Sequence, residues 1–163
     1  MRLTTVTRFA TVVALVTFVA CAGRSVASRA TPETQPSVVW GPAPAVFPAG
    51  AQMAVLQGDP SKAEPFTVRL RFPDGYRIAP HTHPTDEHVT VIEGTFLVGM
   101  GEDVRPGDML SLSAGGFATA PAGHAHYAAA RGTTVVQVHA TGPFSLTYVH
   151  PTDLPVAARG TTR

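Results

Sequence analysis

Cysteine is nearly absent from the 163 residues: Cys21 is the only one. No disulfide can form within the chain, so the folded part must be held together by its own core. Charge is scarce too, with Asp, Glu, Lys and Arg making up 14% of the sequence. The formal net charge of +1 hides an uneven distribution, because Arg2, Arg8, Arg24 and Arg29 all precede the first acid, Glu33. From position 31 onward eight basic residues face eleven acidic ones. That leaves no stripe of Lys and Arg to follow a phosphate backbone, and nucleic acid is not expected as a partner. Long hydrophobic runs are missing, except for about a dozen apolar residues from Phe9 to Ala20, which are too few to span a bilayer comfortably. Sustained helical periodicity is missing after that run, as is any repeat of solenoid length. Glycine and proline are plentiful, at 15 each. That balance suits an all-β chain with many short turns better than a helical bundle.

The front of the chain reads as a leader. A positive start at Arg2 and Arg8 followed by the Phe9–Ala20 run predicts a secretory signal over residues 1–21. The segment Phe18-Val19-Ala20-Cys21 resembles the lipobox of bacterial lipoproteins, with Phe18 in place of the usual aliphatic residue. That resemblance implies a lipid-bearing Cys21 as mature N-terminus, and it is the one expected route to a membrane. Cleavage after Ala22 or Ala30, discarding Cys21, is the alternative. Either way the expected location is the periplasm or cell envelope. Residues 22–38 are small and polar, without hydrophobic periodicity, and are read as a disordered tether. From Trp40 to Gly50 the prolines Pro42, Pro44 and Pro48 predict extended chain along the domain surface, able to cover a sheet edge on its own or a neighbouring copy.

Strand signals fill the rest. Met53–Gln57, Phe66–Phe72, His88–Ile92, Thr95–Met100, Phe117–Ala120, Thr133–His139 and Phe144–Val149 are rich in β-branched or aromatic residues. Shorter pieces are expected at Tyr76–Ile78, Met109–Leu112 and His126–Ala128. Breakers such as Pro73-Asp74-Gly75, Glu93-Gly94 and Gly115-Gly116 separate them. Strands of this length spaced roughly ten residues apart predict an antiparallel sandwich or barrel over residues 39–156, followed by a flexible tail at 157–163.

One segment carries candidate chemistry. In an extended strand His81 and His83 share a face, roughly 7 Å apart at the backbone, so their imidazoles can converge on one ion. Pro84-Thr85-Asp86 is turn-prone and can bring Glu87 back toward them. A second His-bearing segment runs from Gly115 through Pro121, Gly123 and His124 to His126.

These two segments resemble the two signature motifs of the cupin superfamily. The first fits G-x5-H-x-H-x3-E-x6-G through Gly75, His81, His83, Glu87 and Gly94. The second fits G-x5-P-x-G-x2-H through Gly115, Pro121, Gly123 and His126, departing only where Ala130 replaces the family's final Asn. The resemblance spans about Trp40 to Val149. It implies a conical, antiparallel jelly-roll barrel holding one divalent transition-metal ion on His81, His83, Glu87 and His126. Three imidazoles and one carboxylate suit Mn, Fe, Ni, Cu or Zn without choosing among them. Such a site keeps a net positive charge and open positions, which predicts a small anionic ligand or substrate. A homodimer is implied by the family's habit alone. Outside the ligand set, His124 is a candidate proton donor, and Phe96, Met109, Phe117, Tyr127 and Tyr148 are candidates to line a substrate pocket. Asp86 is a candidate partner for a ligand imidazole, His88 is expected at the surface, and His139 and His150 are expected in the core or at its rim. An oxygen-using enzyme acting on an enol or phenol is the leading expectation. A non-catalytic envelope binding or sensing module, and an isomerase or decarboxylase, are the alternatives.

Overall fold

The computed structural model describes residues 37–159. The leader, Cys21, almost all of the tether and the last four residues of the tail lie outside the described residues. Within them, β1 (Gly41–Pro42), β2 (Gln52–Gln57), β3 (Pro65–Phe72), β4 (Arg77–Thr82), β5 (Glu87–Met100), β6 (Leu110–Ser113), β7 (Phe117–Ala120), β8 (His126–Thr141) and β9 (Thr147–Tyr148) precede a single helical turn, α1 (Val156–Arg159). All the strands join one antiparallel sheet that curls into a jelly roll.

Two long strands organise it. β5 and β8 pair along most of their lengths. The far edge of β8 takes β3 along one half and β4 along the other, while the far edge of β5 takes β7 and β6 in the same way. Sequence alone splits both long strands, β5 at the breaker Glu93-Gly94 and β8 into separate pieces at His126–Ala128 and Thr133–His139. Both strands instead run through and bend. The β5–β8 register shifts on either side of Glu93, and Gly94 sits at φ 77°, where a side chain is strained. A Cβ at Gly94 would also collide with the carbonyl oxygen of Thr133. Opposite the bend, Thr134 is fully buried, and its hydroxyl lies 3.1 Å from both Thr95 O and Gly132 O. A bulge of this kind lets one strand serve two walls of a barrel.

The period-2 pattern then puts one face inside. Val68, Val138 and Val89 line up across β3, β8 and β5, and Leu70, Val136 and Val91 form the next row. All six are buried. Phe72, Tyr76 and Phe96 stack beside them. The Pro-rich segment differs from the expected surface ribbon. Only Gly41–Pro42 runs extended, pairing with the edge strand β2, and Phe47 turns inward into the core. The hydroxyls of Tyr76 and Tyr148 hold it there by donating to Pro48 O at 2.6 Å and Val46 O at 3.0 Å. At the other end the order extends past residue 156, where the tail was expected to start. Ala158 is buried, and Arg159 donates to Leu154 O and Thr152 O.

Candidate metal centre

His81 is the inward-facing residue near the end of β4, and His83 is the next inward position, just beyond it. His126 opens β8 directly opposite His81 in the β4–β8 register. The ring centroids are 4.3 Å apart for His81–His126, 4.9 Å for His81–His83 and 5.1 Å for His83–His126. All three residues are buried, and each offers a ring nitrogen within 4.8 Å of the other two. Pro84-Thr85-Asp86 breaks the chain between β4 and β5, so Glu87 restarts the sheet facing inward. Its Oε2 is 3.5 Å from His83 Nε2 and 3.6 Å from His126 Nε2.

The far side of each ring is tied to main chain. His81 Nδ1 lies 2.8 Å from Ala79 O, His83 Nδ1 lies 2.7 Å from Ser145 O, and His126 Nδ1 lies 3.1 Å from His124 O. A carbonyl can only accept, so each Nδ1 carries the proton and donates it. In a neutral imidazole that leaves the lone pair on Nε2. Three lone pairs therefore face a common point together with a carboxylate. Nε2 of His83 and of His126 are buried with no hydrogen-bond partner, which costs free energy unless something electron-poor sits among them. A cation meets that need, and this donor set fits a divalent transition ion. Carbonyl-tethered imidazoles are also how metal-ligating histidines are usually oriented.

The electrostatics point the same way. Burial pushes His81 down to about 3, with the neighbouring His126 adding to the shift, so its ring is neutral at ordinary pH. Burial opposes charge on His83 as well, but the Glu87 carboxylate outweighs it and raises that ring. Glu87 is itself desolvated, yet the two imidazoles beside it hold it well below the usual carboxylate range. The site thus holds an anion at Glu87 beside a neutral His81 and a His83 that the carboxylate draws toward positive charge.

Two hydrogen bonds join the motif segments. Gly123 N donates to His83 O at 2.8 Å, and Ala122 N donates to Asp86 Oδ1 at 2.8 Å. Asp86 therefore holds the turn before His126 and is not bonded to a ligand ring, as the sequence had suggested. Among the residues lining the space around the site, the only polar side chains are the three histidines and Glu87. Phe47, Phe72, Phe96 and Leu146 belong to its apolar wall, and Phe144 stacks on the His83 ring at 5.2 Å. The open volume is about 30 Å³, room for an ion and about one or two waters.

Other sequence candidates lie elsewhere. His124 is exposed, with its ring turned back on Ala122 O. Its carbonyl contributes to the site, and its imidazole does not. Of the five pocket candidates Phe96 alone lines this cavity. Phe117 is 57% exposed and stacks on His88 outside the barrel, because Ala118 and Ala120 are the inward positions of β7. Tyr127 is buried on the outer face of β8 beneath the loop after β5, where Arg105 N donates to its hydroxyl. Met109 flanks the same outer surface. Tyr148 packs 6.2 Å from the His81 ring but turns its hydroxyl away to Val46 O. His139 and His150, expected in the core or at its rim, are both exposed, and His139 bonds Thr67 and Gln137. Sequence reasoning missed the three carbonyl tethers, Phe47 and Phe144. Main-chain acceptors leave no mark in residue type, and no spacing links residues 47 and 144 to the motifs.

A family described as a domain of unknown function, DUF4437, matches residues 34–154. No curated protein sequence matches the chain. Among solved structures, the polyketide cyclase RemF from Streptomyces resistomycificus aligns with a TM-score of 0.59 at 16% identity, covering 77% of this chain and 89% of that one. A candidate acetylacetone dioxygenase from Methylibium petroleiphilum PM1 aligns with a TM-score of 0.57 at 24% identity, covering 76% and 87%. An RmlC-like cupin from Shewanella frigidimarina NCIMB 400 gives 0.52 at 18% identity, covering 66% and 86%. Likeness at these identities establishes a shared fold, the cupin jelly roll.

Proposed function

The chain belongs to the DUF4437 family, which is cupin-like, and we propose that it is an exported metal-dependent enzyme using dioxygen on a small enolic or phenolic substrate. The observation that carries this reading is the convergence of three carbonyl-tethered imidazoles and Glu87 in a cavity with no other polar side chain. His81, His83, His126 and Glu87 would hold the ion. When bound, a divalent ion supplies Lewis-acid polarisation of an oxygen donor and, if redox-active, chemistry with dioxygen.

The chain's own residues do the rest. One carboxylate against a divalent ion leaves net positive charge, which favours an anionic oxygen donor over a neutral one. Phe47, Phe72 and Phe96 exclude water from that charge, which strengthens it. The wall offers no hydroxyl or amide to bind a sugar and no second acid to deliver a proton. Isomerase and decarboxylase readings are the weaker for it. A small enolate or phenolate with short apolar arms matches such a wall, and the likeness to a candidate acetylacetone dioxygenase supports the same class.

One observation favours a second reading, a non-catalytic envelope module that takes up metal: the cavity's 30 Å³ is small for an organic substrate. Elemental analysis of the purified protein, followed by oxygen uptake with a panel of enols, catechols and dicarboxylates, separates the two. The enzyme reading expects about one ion per chain and turnover that is abolished in folded His126→Ala. Stoichiometric metal with no turnover of any panel member would move the assignment to the binding module. His83→Ala is expected to lose the metal, and full metal content in that variant would contradict the ligand set.

A further inference from the structure

A second concavity lies on the outside of the barrel. It is a trough of about 440 Å³ between the loop after β5 and the segments around Pro48 and Asp153. That volume is in the ordinary range for small-molecule sites. Its floor is the outer face of β4, β8 and β5, where Arg77, Ala129 and Leu97 stand in one cross-strand row. Arg131 is two residues along β8 from Ala129, so it shares that face and is the diagonal neighbour of Arg77. Diagonal positions lie about 7–8 Å apart, within reach of two long side chains.

Leu97, Val104, Pro106 and Met109 supply apolar surface along the trough. Tyr127 anchors the overlying loop through its hydroxyl, held by Arg105 N at 2.9 Å. Both arginines are exposed, and no carboxylate of the described residues pairs with either, the one Lys or Arg ion pair among them being Lys62–Asp59. Asp74 accepts from Gly132 N, and Asp153, the one acid lining the trough, lies beside Tyr148 and is outnumbered there by the two guanidiniums. Two like charges side by side at one part of an apolar trough are unfavourable until an anion bridges them. A carboxylate matches the guanidinium fork in two-point fashion.

We infer that this outer trough is a binding site for an amphiphilic carboxylate, its head between Arg77 and Arg131 and its apolar body against Leu97, Val104 and Met109. The site is separate from the metal centre and independent of the proposed reaction. The occupant is a small molecule with a single carboxylate and a hydrocarbon chain or ring of medium size.

Calorimetric titration of the purified full chain with decanoate, and with decanol as the uncharged control, tests the assignment. The expected result is one decanoate per chain, bound at least about tenfold more tightly than decanol, the gain of a charge-assisted pair. Arg77→Gln/Arg131→Gln should remove that preference, and Leu97→Glu should abolish binding, with melting temperatures unchanged for the arginine pair. Decanoate binding should survive His83→Ala, which distinguishes the trough from a carboxylate on the metal. Equal binding of decanoate and decanol, full affinity in the double arginine variant, or loss of binding in folded His83→Ala would each overturn the inference.

Discussion

His83 lies between two acceptors, Ser145 O on one side of its ring and the Glu87 carboxylate on the other. A neutral ring donates to one of them and an imidazolium to both, whereas an ion between Nε2 and the carboxylate would take the place of the second proton. Removing the negative charge should therefore weaken the site. Glu87→Gln is expected to lower metal affinity at least about tenfold, about 1.4 kcal/mol, read by competition with a chromogenic chelator. Unchanged affinity would place Glu87 outside the ion's reach. His124→Ala should behave oppositely. Its carbonyl remains, its ring is exposed, and metal affinity should stay within about twofold, as for ordinary surface substitutions. At this scale the pairing of His81 and His83 was legible because the period of a strand decides which side chains share a face, whereas His126 was reached only through the motif resemblance. His124 shares parity with His126, yet it sits in a turn where parity no longer governs direction. Phe117 was misplaced for a related reason: aromatic character marks a strand without saying which side of it points inward.

The long strands β5 and β8 show what a lone sequence conceals at the scale of the element. Gly94 marked an interruption correctly, but glycine permits a turn and a bulge equally well. Only pairing on both sides of the bend reveals one continuous strand. Gly94→Ala should destabilise the fold by about 2–4 kcal/mol, combining a left-handed backbone with a clash against Thr133 O, measurable by urea unfolding; a cost below about 1 kcal/mol would mean that the bend does not need glycine. The Pro-rich segment makes a second case, since nothing in its composition predicts that Phe47 turns into the core. Its anchors give it a pH signature. Burial raises Tyr148 to about 12, and it raises Tyr76 as well. Both groups favour the neutral phenol when folded, so their contribution is fully present below the unfolded value near 10 and is lost as pH rises toward 12. Melting temperature should fall across that window, and less steeply in Tyr148→Phe. An equally steep fall in that variant would remove Tyr148 from the explanation.

For the molecule as a whole, the jelly roll was readable from strand spacing and the two motifs, whereas the closure of the barrel by β8 joining β3, β4 and β5 required coordinates. Metal and fold should be thermodynamically linked, because the donors come together only when the sheet has closed. An ion at about 100 times its dissociation constant adds about 2.7 kcal/mol, raising the melting temperature by roughly 5–15 °C for a domain of this size. Chelation should reverse the rise, and His83→Ala should show none. A melting curve indifferent to metal would break the link. The tethers at Ala79, His124 and Ser145 have a further consequence. Because peptide oxygens do the holding, side chains at those three places are free to drift over generations without loosening the imidazoles. Relatives could thus share the same aiming device while agreeing at none of the positions that operate it, and only a change in the path of the backbone would remove it.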